Sequence, residues 1–224
     1  MTEDQLKEDI VRIAKREYNC GMVNMFEGNI SSRLKDRYFI TPSQVSKETM
    51  TAEMIIELDA QGNVVHALSG LRPSTEYKMH LEIYRLRPDI TAVIHNHSTY
   101  ATAFACNNTP IESDILTEMN LTLGSVPVAP YGTPGTERLY AGFQGLIGDT
   151  FAMLLENHGV LTYADSLDMA YSYAEAVEKV AKTLFIARLL GEGSHIPAEE
   201  IAAMQAYGQA NRRKRIEAAW NKLA

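Results

Sequence analysis

Apolar residues recur at helical spacing near both ends of the chain, and in between they alternate or run continuously. Over residues 2–19, Leu6, Ile10, Ile13 and Ala14 make one stripe, Thr2 is placed to cap and Glu3 and Asp4 fall in the first turn. That pattern predicts a helix, with Gly21 where it should stop. EGNISSRL and RYFITPS read as one hairpin, and residues 54–59 and 64–67 as another, joined through Ala60-Gln61-Gly62-Asn63. In LRPSTEYKMHLEIYRLRPD a helix is capped by Ser74 or Thr75 and ends before Pro88. TAVIHNH reads as a strand, HSTYATAFAC as a helix and SVPVAPYG as extended chain; Thr136 caps a predicted helix over about 137–147. TFAMLLENHGVLTYA makes two short strands broken at Asn157-His158-Gly159. Ser166 opens a long helix with Ala170, Ala174, Val177, Ala181 and Leu184 at helical spacing, Gly191 ends it, and the tail from Ala198 is helical again.

Strands and helices interleave without a regular βαβ period. That predicts an α/β fold with a mixed sheet and helices on both sides, rather than a doubly wound one. No linker, repeat or low-complexity segment interrupts residues 1–224, which read as a single domain. Neither G-x-G-x-x-G nor a phosphate-binding P-loop is present. The net charge of −7 argues against nucleic acid as a partner but leaves room for a small anion at a local positive site. Cys20 and Cys106 form no framework, which fits a reducing compartment. The polar start MTEDQLKEDI is unlike a signal peptide, and no apolar run approaches the ~20 residues of a membrane span. A cytoplasmic protein without a membrane partner is expected.

The chemistry-bearing phrases lie at the ends of predicted elements. In VIHNHS, His95 and His97 share one face of a strand and can reach one ion, while Asn96 points away. His158, in ENHG, follows an apolar strand and precedes a glycine that allows a turn. Glu76, in PSTE, falls in the first turn of a helix, where the dipole favours a carboxylate. Three histidines and a carboxylate make a four-ligand zinc set, with Glu76 the ligand a substrate would displace. The plainer reading is two exposed histidines and a carboxylate placed for its helix. His66 and His195 read as exposed. His80, four residues after Glu76, leaves E-x-x-x-H open as a ligand pair. Gly28 allows close backbone approach to a ligand. Asn29, Ser43, Ser74 and Thr75 supply uncharged donors that, with a helix N-terminus at 74–76, can cradle a phosphate. Their plainer reading is as caps and turn residues.

The phrases GNIS (28–31), ITPS (40–43), PSTE (73–76), VIHNHS (93–98), PVAPYGTPGT (127–136) and LLENHG (154–159), in this order, resemble the class II aldolase/adducin family. The likeness runs over about residues 5–190. It implies a three-layer α/β/α fold with a mostly antiparallel central sheet. It also implies Zn2+, or another divalent cation, on His95, His97 and His158. Glu76 would be the fourth ligand at rest and the acid/base once substrate displaces it. Asn29, Ser43, Ser74 and Thr75 would bind phosphate. The implied reaction is reversible cleavage of a phosphorylated ketose to dihydroxyacetone phosphate and an aldehyde, with the family's 4-epimerase and dehydratase branches as alternatives and an adducin-like scaffold as the non-enzymatic one. The implied partner is a small phosphorylated sugar, and the implied assembly a homotetramer with active sites between subunits. His80 stands where the family often has a histidine that is not a ligand.

Three departures stand out. Phe26-Glu27 replaces a small hydroxyl residue before Gly28, and Gln44 replaces a common glycine. Between Pro110 and Pro127 there is no tyrosine, where the aldolase has one reaching in from a neighbouring subunit. Glu118 resembles the dehydratase acid/base, with Asp114 the second choice. Tyr207, in AYGQ, matches a tyrosine that closes over the substrate. The run Arg212-Arg213-Lys214-Arg215 reads as a solvated helix end or a contact across the subunit interface.

Overall fold

The computed structural model describes residues 2–191 and 193–221. Helix α1 spans Glu3–Asn19. Strands β1 (Asn29–Leu34), β2 (Arg37–Ile40), β3 (Ile56–Leu58) and β4 (Val64–His66) follow, then α2 (Tyr77–Leu86), β5 (Ala92–Asn96), α3 (Thr99–Cys106), α4 (Thr117–Leu121) and β6 (Val128–Ala129). The chain continues through β7 (Ala152–Leu155), β8 (Gly159–Ala164), α5 (Leu167–Leu190) and α6 (Ala198–Trp220). The expected Thr2 cap is present as a reciprocal pair, in which Thr2 accepts from the Gln5 amide and the Gln5 side chain accepts from the Thr2 amide.

The strands form one eight-stranded sheet in the order β4-β3-β2-β1-β5-β8-β7-β6. The sheet is mixed, which corrects the expected mostly antiparallel sheet at one edge. All other neighbours are antiparallel, but β6 runs parallel to β7. The intervening residues 130–151 give the chain the dozen or more positions that a parallel crossover needs.

That crossover contains a second correction. Residues 137–147 are not a helix but two single 3-10 turns, Glu137–Leu139 and Phe143–Gly145. Gly142 and Gly145 fall inside the segment, each costing about 1 kcal/mol relative to alanine in a helix, and Gly148 follows with positive φ. The apolar spacing survives, so Leu139, Phe143 and Ile147 are still buried. The short helix α4 falls in a stretch without strong periodicity, where the sequence pattern predicts no element.

Alternation along β5 divides the core. Ala92 and Ile94 join Leu6, Ile10 and Ile13 of α1 and Ala170, Tyr171 and Ala174 of α5. Val93 joins Met79, Ile83 and Tyr84 of α2 with Leu161 and Tyr163 of β8. His95 continues the Val93 face, so strand period alone turns it toward α2. Helix α6 packs back on α4 at Gly208, where a Cβ would stand 2.5 Å from the Asn120 carbonyl oxygen.

Candidate metal centre and active site

Three strands bring the histidines together. His95 lies in β5, opposite Asn29 of β1 and Leu161 of β8. His97 is one residue past the end of β5, its amide donating to the Met22 carbonyl. His158 sits in the β7–β8 turn, where Leu155 pairs with Gly159 and Asn157 adopts φ +56. The three rings offer ligand atoms that all lie within 4.8 Å of one another. Gly159 makes this possible: a Cβ there would meet the Asn96 carbonyl at 2.5 Å and the His97 ring at 2.8 Å.

Glu76 completes the cluster. It is the N-cap of α2 rather than a first-turn residue, and its side chain makes no capping hydrogen bond. The carboxylate points instead at the histidines. Its Oε2 accepts from Asn29 Nδ2 at 2.8 Å and lies 3.5 Å from His95 Nε2. Its Oε1 is buried, accepts no hydrogen bond and faces His158 Nε2 at 3.2 Å.

The electrostatics suit metal ligation, which requires neutral imidazoles. Burial, reinforced by the neighbouring rings, holds His95 well below the usual histidine range. Burial also lowers His158, against the pull of Glu76. His95 Nδ1 donates to the Val160 carbonyl at 2.8 Å, which leaves Nε2 as the lone pair aimed into the cluster. His95 Nε2 and His97 Nε2 stand only 3.0 Å apart. Tetrahedral zinc with bonds of about 2.0–2.1 Å sets its ligand atoms about 3.3–3.4 Å apart. The observed 3.0 Å between the two imidazole nitrogens and 3.2 Å from His158 Nε2 to Glu76 Oε1 fall just short of that spacing. An orphaned carboxylate oxygen among converging imidazole nitrogens is what a divalent cation would satisfy, so the residues fit the group. His97 has a second carboxylate behind it, with Nδ1 3.7 Å from Glu27.

The phosphate-loop candidates gather beside this cluster. Pro42 and Pro73 form an isolated bridge, Ser43 N donates to the Arg72 carbonyl and Ser74 N to the Thr41 carbonyl, so the TPS and PSTE phrases lie side by side. Gly28 has φ +73, and a Cβ there would approach the His95 carbonyl at 2.9 Å. Gln44, where the resemblance led us to expect glycine, has φ +58 and carries the strain a glycine would avoid. Ser43 is half-buried, Ser74 buried and Thr75 exposed. Asn29 has both ends of its side chain engaged, Nδ2 on Glu76 and Oδ1 on His80, so that one amide hydrogen is left for a ligand.

The remaining candidates are not brought to the histidines. Glu118 on α4 and Tyr207 on α6 are exposed, and no hydrogen bond or ion pair among the described residues ties either side chain to the cluster. Asp114 is paired with His195 at 2.7 Å, and that bond lowers its pKa. The basic run is not simply solvated: Arg212 donates to the Thr122 carbonyl, Arg213 lies 3.7 Å from Asp149, and Arg215 pairs with Asp165. His66 is exposed as expected. His80 is buried and joins the site through Asn29 rather than pointing at the histidines.

Glu17 adds a residue that the motifs do not point to. It is buried, and its Oε1 accepts from Asn96 Nδ2 at 2.8 Å, fixing the residue between the two histidines. Burial pushes its pKa up to about 8, with the Asn96 hydrogen bond and Lys47 pulling the other way. The signal was present: Glu17 continues the apolar stripe of Leu6, Ile10, Ile13 and Ala14.

Comparison with known proteins places this geometry. The family model described as Class II Aldolase and Adducin N-terminal domain matches residues 8–185. The chain belongs to the class II aldolase/adducin family. A 3-oxo-tetronate 4-phosphate decarboxylase of Escherichia coli (strain K12) is 32% identical over 91% of this chain and 96% of its own length. A 5-deoxy-D-ribulose 1-phosphate aldolase of Bacillus thuringiensis is 33% identical over 91% of this chain and 97% of its own. A solved L-fuculose 1-phosphate aldolase superposes with a TM-score of 0.82 at 33% identity, covering 90% of this chain and 95% of that one. The chain is therefore an enzyme of this superfamily, and no helix among the described residues is long and apolar enough to cross a membrane.

Proposed function

We propose that the protein cleaves a phosphorylated ketose reversibly to dihydroxyacetone phosphate and an aldehyde, as an L-fuculose-1-phosphate aldolase-like enzyme. The observation that carries this is the split carboxylate of Glu76, with Oε2 held by Asn29 and Oε1 unpartnered among three histidines. His95, His97, His158 and Glu76 would hold Zn2+. A divalent cation there supplies Lewis-acid stabilisation of the negative charge that develops on substrate oxygens when a carbon–carbon bond breaks. Breaking C3–C4 leaves the electron pair on C3, delocalised toward the C2 oxygen. Glu76, having taken up a proton from solvent, would deliver it through Oε1 to C3. Gly28 and the donors of Asn29, Ser43, Ser74 and Thr75 hold the phosphate. The C4 hydroxyl must lose its proton in cleavage, a role for Glu118 or Tyr207 if a neighbouring subunit's copy completes the site. That reading goes with a cytoplasmic homotetramer of single-domain, three-layer subunits.

Decarboxylation is the second reading, and the missing tyrosine between Pro110 and Pro127 favours it. A 3-oxo-tetronate 4-phosphate that loses its carboxylate as CO2 leaves the same three-carbon electron-rich species, and Glu76 would protonate it in the same way. No hydroxyl proton has to be removed. Epimerase-like and dehydratase-like activities rank below these, and a scaffold without metal ranks last. The test is a coupled assay for dihydroxyacetone phosphate with zinc-loaded protein and a panel of ketose 1-phosphates. Release that a chelator stops is expected. Metal-loaded protein that releases none from any of them would overturn the aldolase reading.

A further inference from the structure

Glu76 does not stand alone on its helix. Glu76, His80 and Tyr84 are spaced i, i+4, i+8 and form one stripe of α2. Asn29 and Ser31 are spaced i, i+2 and share one face of β1. Four helical residues rise about 6 Å and two strand residues about 6.6–6.8 Å, so the two series keep step. Their polar atoms interleave into a continuous buried seam. Asn29 Nδ2 lies 2.8 Å from Glu76 Oε2, and His80 Nε2 lies 2.6 Å from Asn29 Oδ1. Ser31 Oγ lies 2.7 Å from both His80 Nδ1 and Tyr84 Oη. Asn29, Ser31, Glu76, His80 and Tyr84 are all buried.

The carboxylate end fixes every direction along the seam. An ionised Glu76 can only accept, so Asn29 must present its NH2 group to Glu76 and its oxygen to His80. His80 therefore carries its proton on Nε2. Nδ1 is left to accept the Ser31 hydroxyl, whose oxygen accepts from Tyr84. Burial, with the neighbouring His95, keeps His80 neutral by lowering its pKa to about 3. A flipped Asn29 would set its oxygen against the Glu76 carboxylate.

We propose that His80 is a positioning residue for the metal site: through Asn29 it locks Glu76 Oε2, so that Oε1 is the oxygen presented to the cation and to substrate. This rests on the reading of Glu76 as ligand and proton carrier. Outer partners of this kind typically change metal affinity about 10–100-fold when removed.

The test compares two polar replacements. In His80→Gln the side-chain amide sits near the place of Nε2 and keeps a donor for Asn29. In His80→Asn the shorter amide keeps Ser31 company but cannot reach Asn29. Zinc affinity is measured on folded protein, without substrate, by competition with a chromogenic chelator. His80→Asn is expected to bind about 10-fold more weakly, and His80→Gln within about 3-fold of wild type. Asn29→Ala should show the His80→Asn loss, and Asn29→Ala/His80→Asn should lose no more than Asn29→Ala alone. Wild-type affinity in His80→Asn or Asn29→Ala, equal losses in His80→Asn and His80→Gln, or multiplying losses in the double variant would each overturn the proposal. Should His80→Asn not fold, Asn29→Ala decides alone. Because no substrate is present, seam-dependent metal binding in a protein that cleaves no phosphorylated ketose would sink only the aldolase reading.

Discussion

Gly159→Ala isolates the packing that brings the histidines together. The φ of Gly159 is not in the left-handed region, so the substitution meets contact rather than backbone strain. The new methyl would lie 2.5 Å from the Asn96 carbonyl oxygen, 2.8 Å from His97 Cδ2 and 3.1 Å from His95 Cε1. Comfortable carbon contacts begin at about 3.5 Å, so β5 and β8 must part by up to about 1 Å or both imidazoles must turn. Overpacking of this kind costs about 1–3 kcal/mol of stability. Displaced ligands should lower metal affinity at least about 10-fold, or about 1.4 kcal/mol more. Urea unfolding of the metal-free protein reads the first quantity, and chelator competition reads the second. Gly145→Ala is the control: nothing lies within 4 Å of its Cβ position and its φ is ordinary, so it should be neutral or stabilising by about 0.4–1 kcal/mol. A Gly159→Ala protein with the stability and metal affinity of Gly145→Ala would refute the claim that this glycine exists to admit the imidazoles.

Other consequences are as direct. Glu76→Gln should keep the three histidines and bound metal while turnover falls about 10²–10⁴-fold, measured as metal per chain alongside kcat; full turnover would remove its acid/base role. Glu17 holds a proton in the folded chain from its ordinary value of 4.5 up to about 8, so wild-type stability falls as pH rises through that window and levels off above it. Glu17→Gln should therefore gain on wild type in Tm between pH 5 and pH 8, by the equivalent of a few kcal/mol at most, and a constant difference would contradict the burial argument. Gly208→Ala places a methyl 2.5 Å from the Asn120 carbonyl and 2.9 Å from that of Leu121. It should lift α6 from α4 and speed proteolysis within 198–220; an unchanged cleavage rate would contradict the close packing.

The legible parts of the fold were those where period and punctuation agree. Thr2, Ser166 and Gly191 mark helix ends by local chemistry, and the stripes of α1 and α5 follow from burying one face. The 137–147 segment misled because its apolar spacing is helical, and the glycines that break it also allow two tight turns to bury the same residues. The parallel edge strand was hidden because direction depends on how the chain returns, which no local pattern records. Within the site, His95 and His97 declare themselves by the two-residue period, whereas the meeting with His158 and Glu76 depends on the neighbouring of β5, β8 and α2. Asn29 read as a phosphate donor because its partners His80 and Glu76 are 51 and 47 residues away. Glu118 and Tyr207 carry no geometric support within one chain, since both are exposed and, among the described residues, neither side chain is hydrogen-bonded or ion-paired to the cluster.

The most direct measurement is a side-by-side kcat/KM on metal-loaded protein for cleavage of a ketose 1-phosphate and for CO2 release from 3-oxo-tetronate 4-phosphate, each repeated after stripping by a chelator. Both reactions yield dihydroxyacetone phosphate, so the aldehyde and the CO2 must be measured separately. The account predicts faster aldehyde release, lost on stripping and restored by Zn2+. CO2 release with no aldehyde, or cleavage that survives removal of the metal, would contradict it.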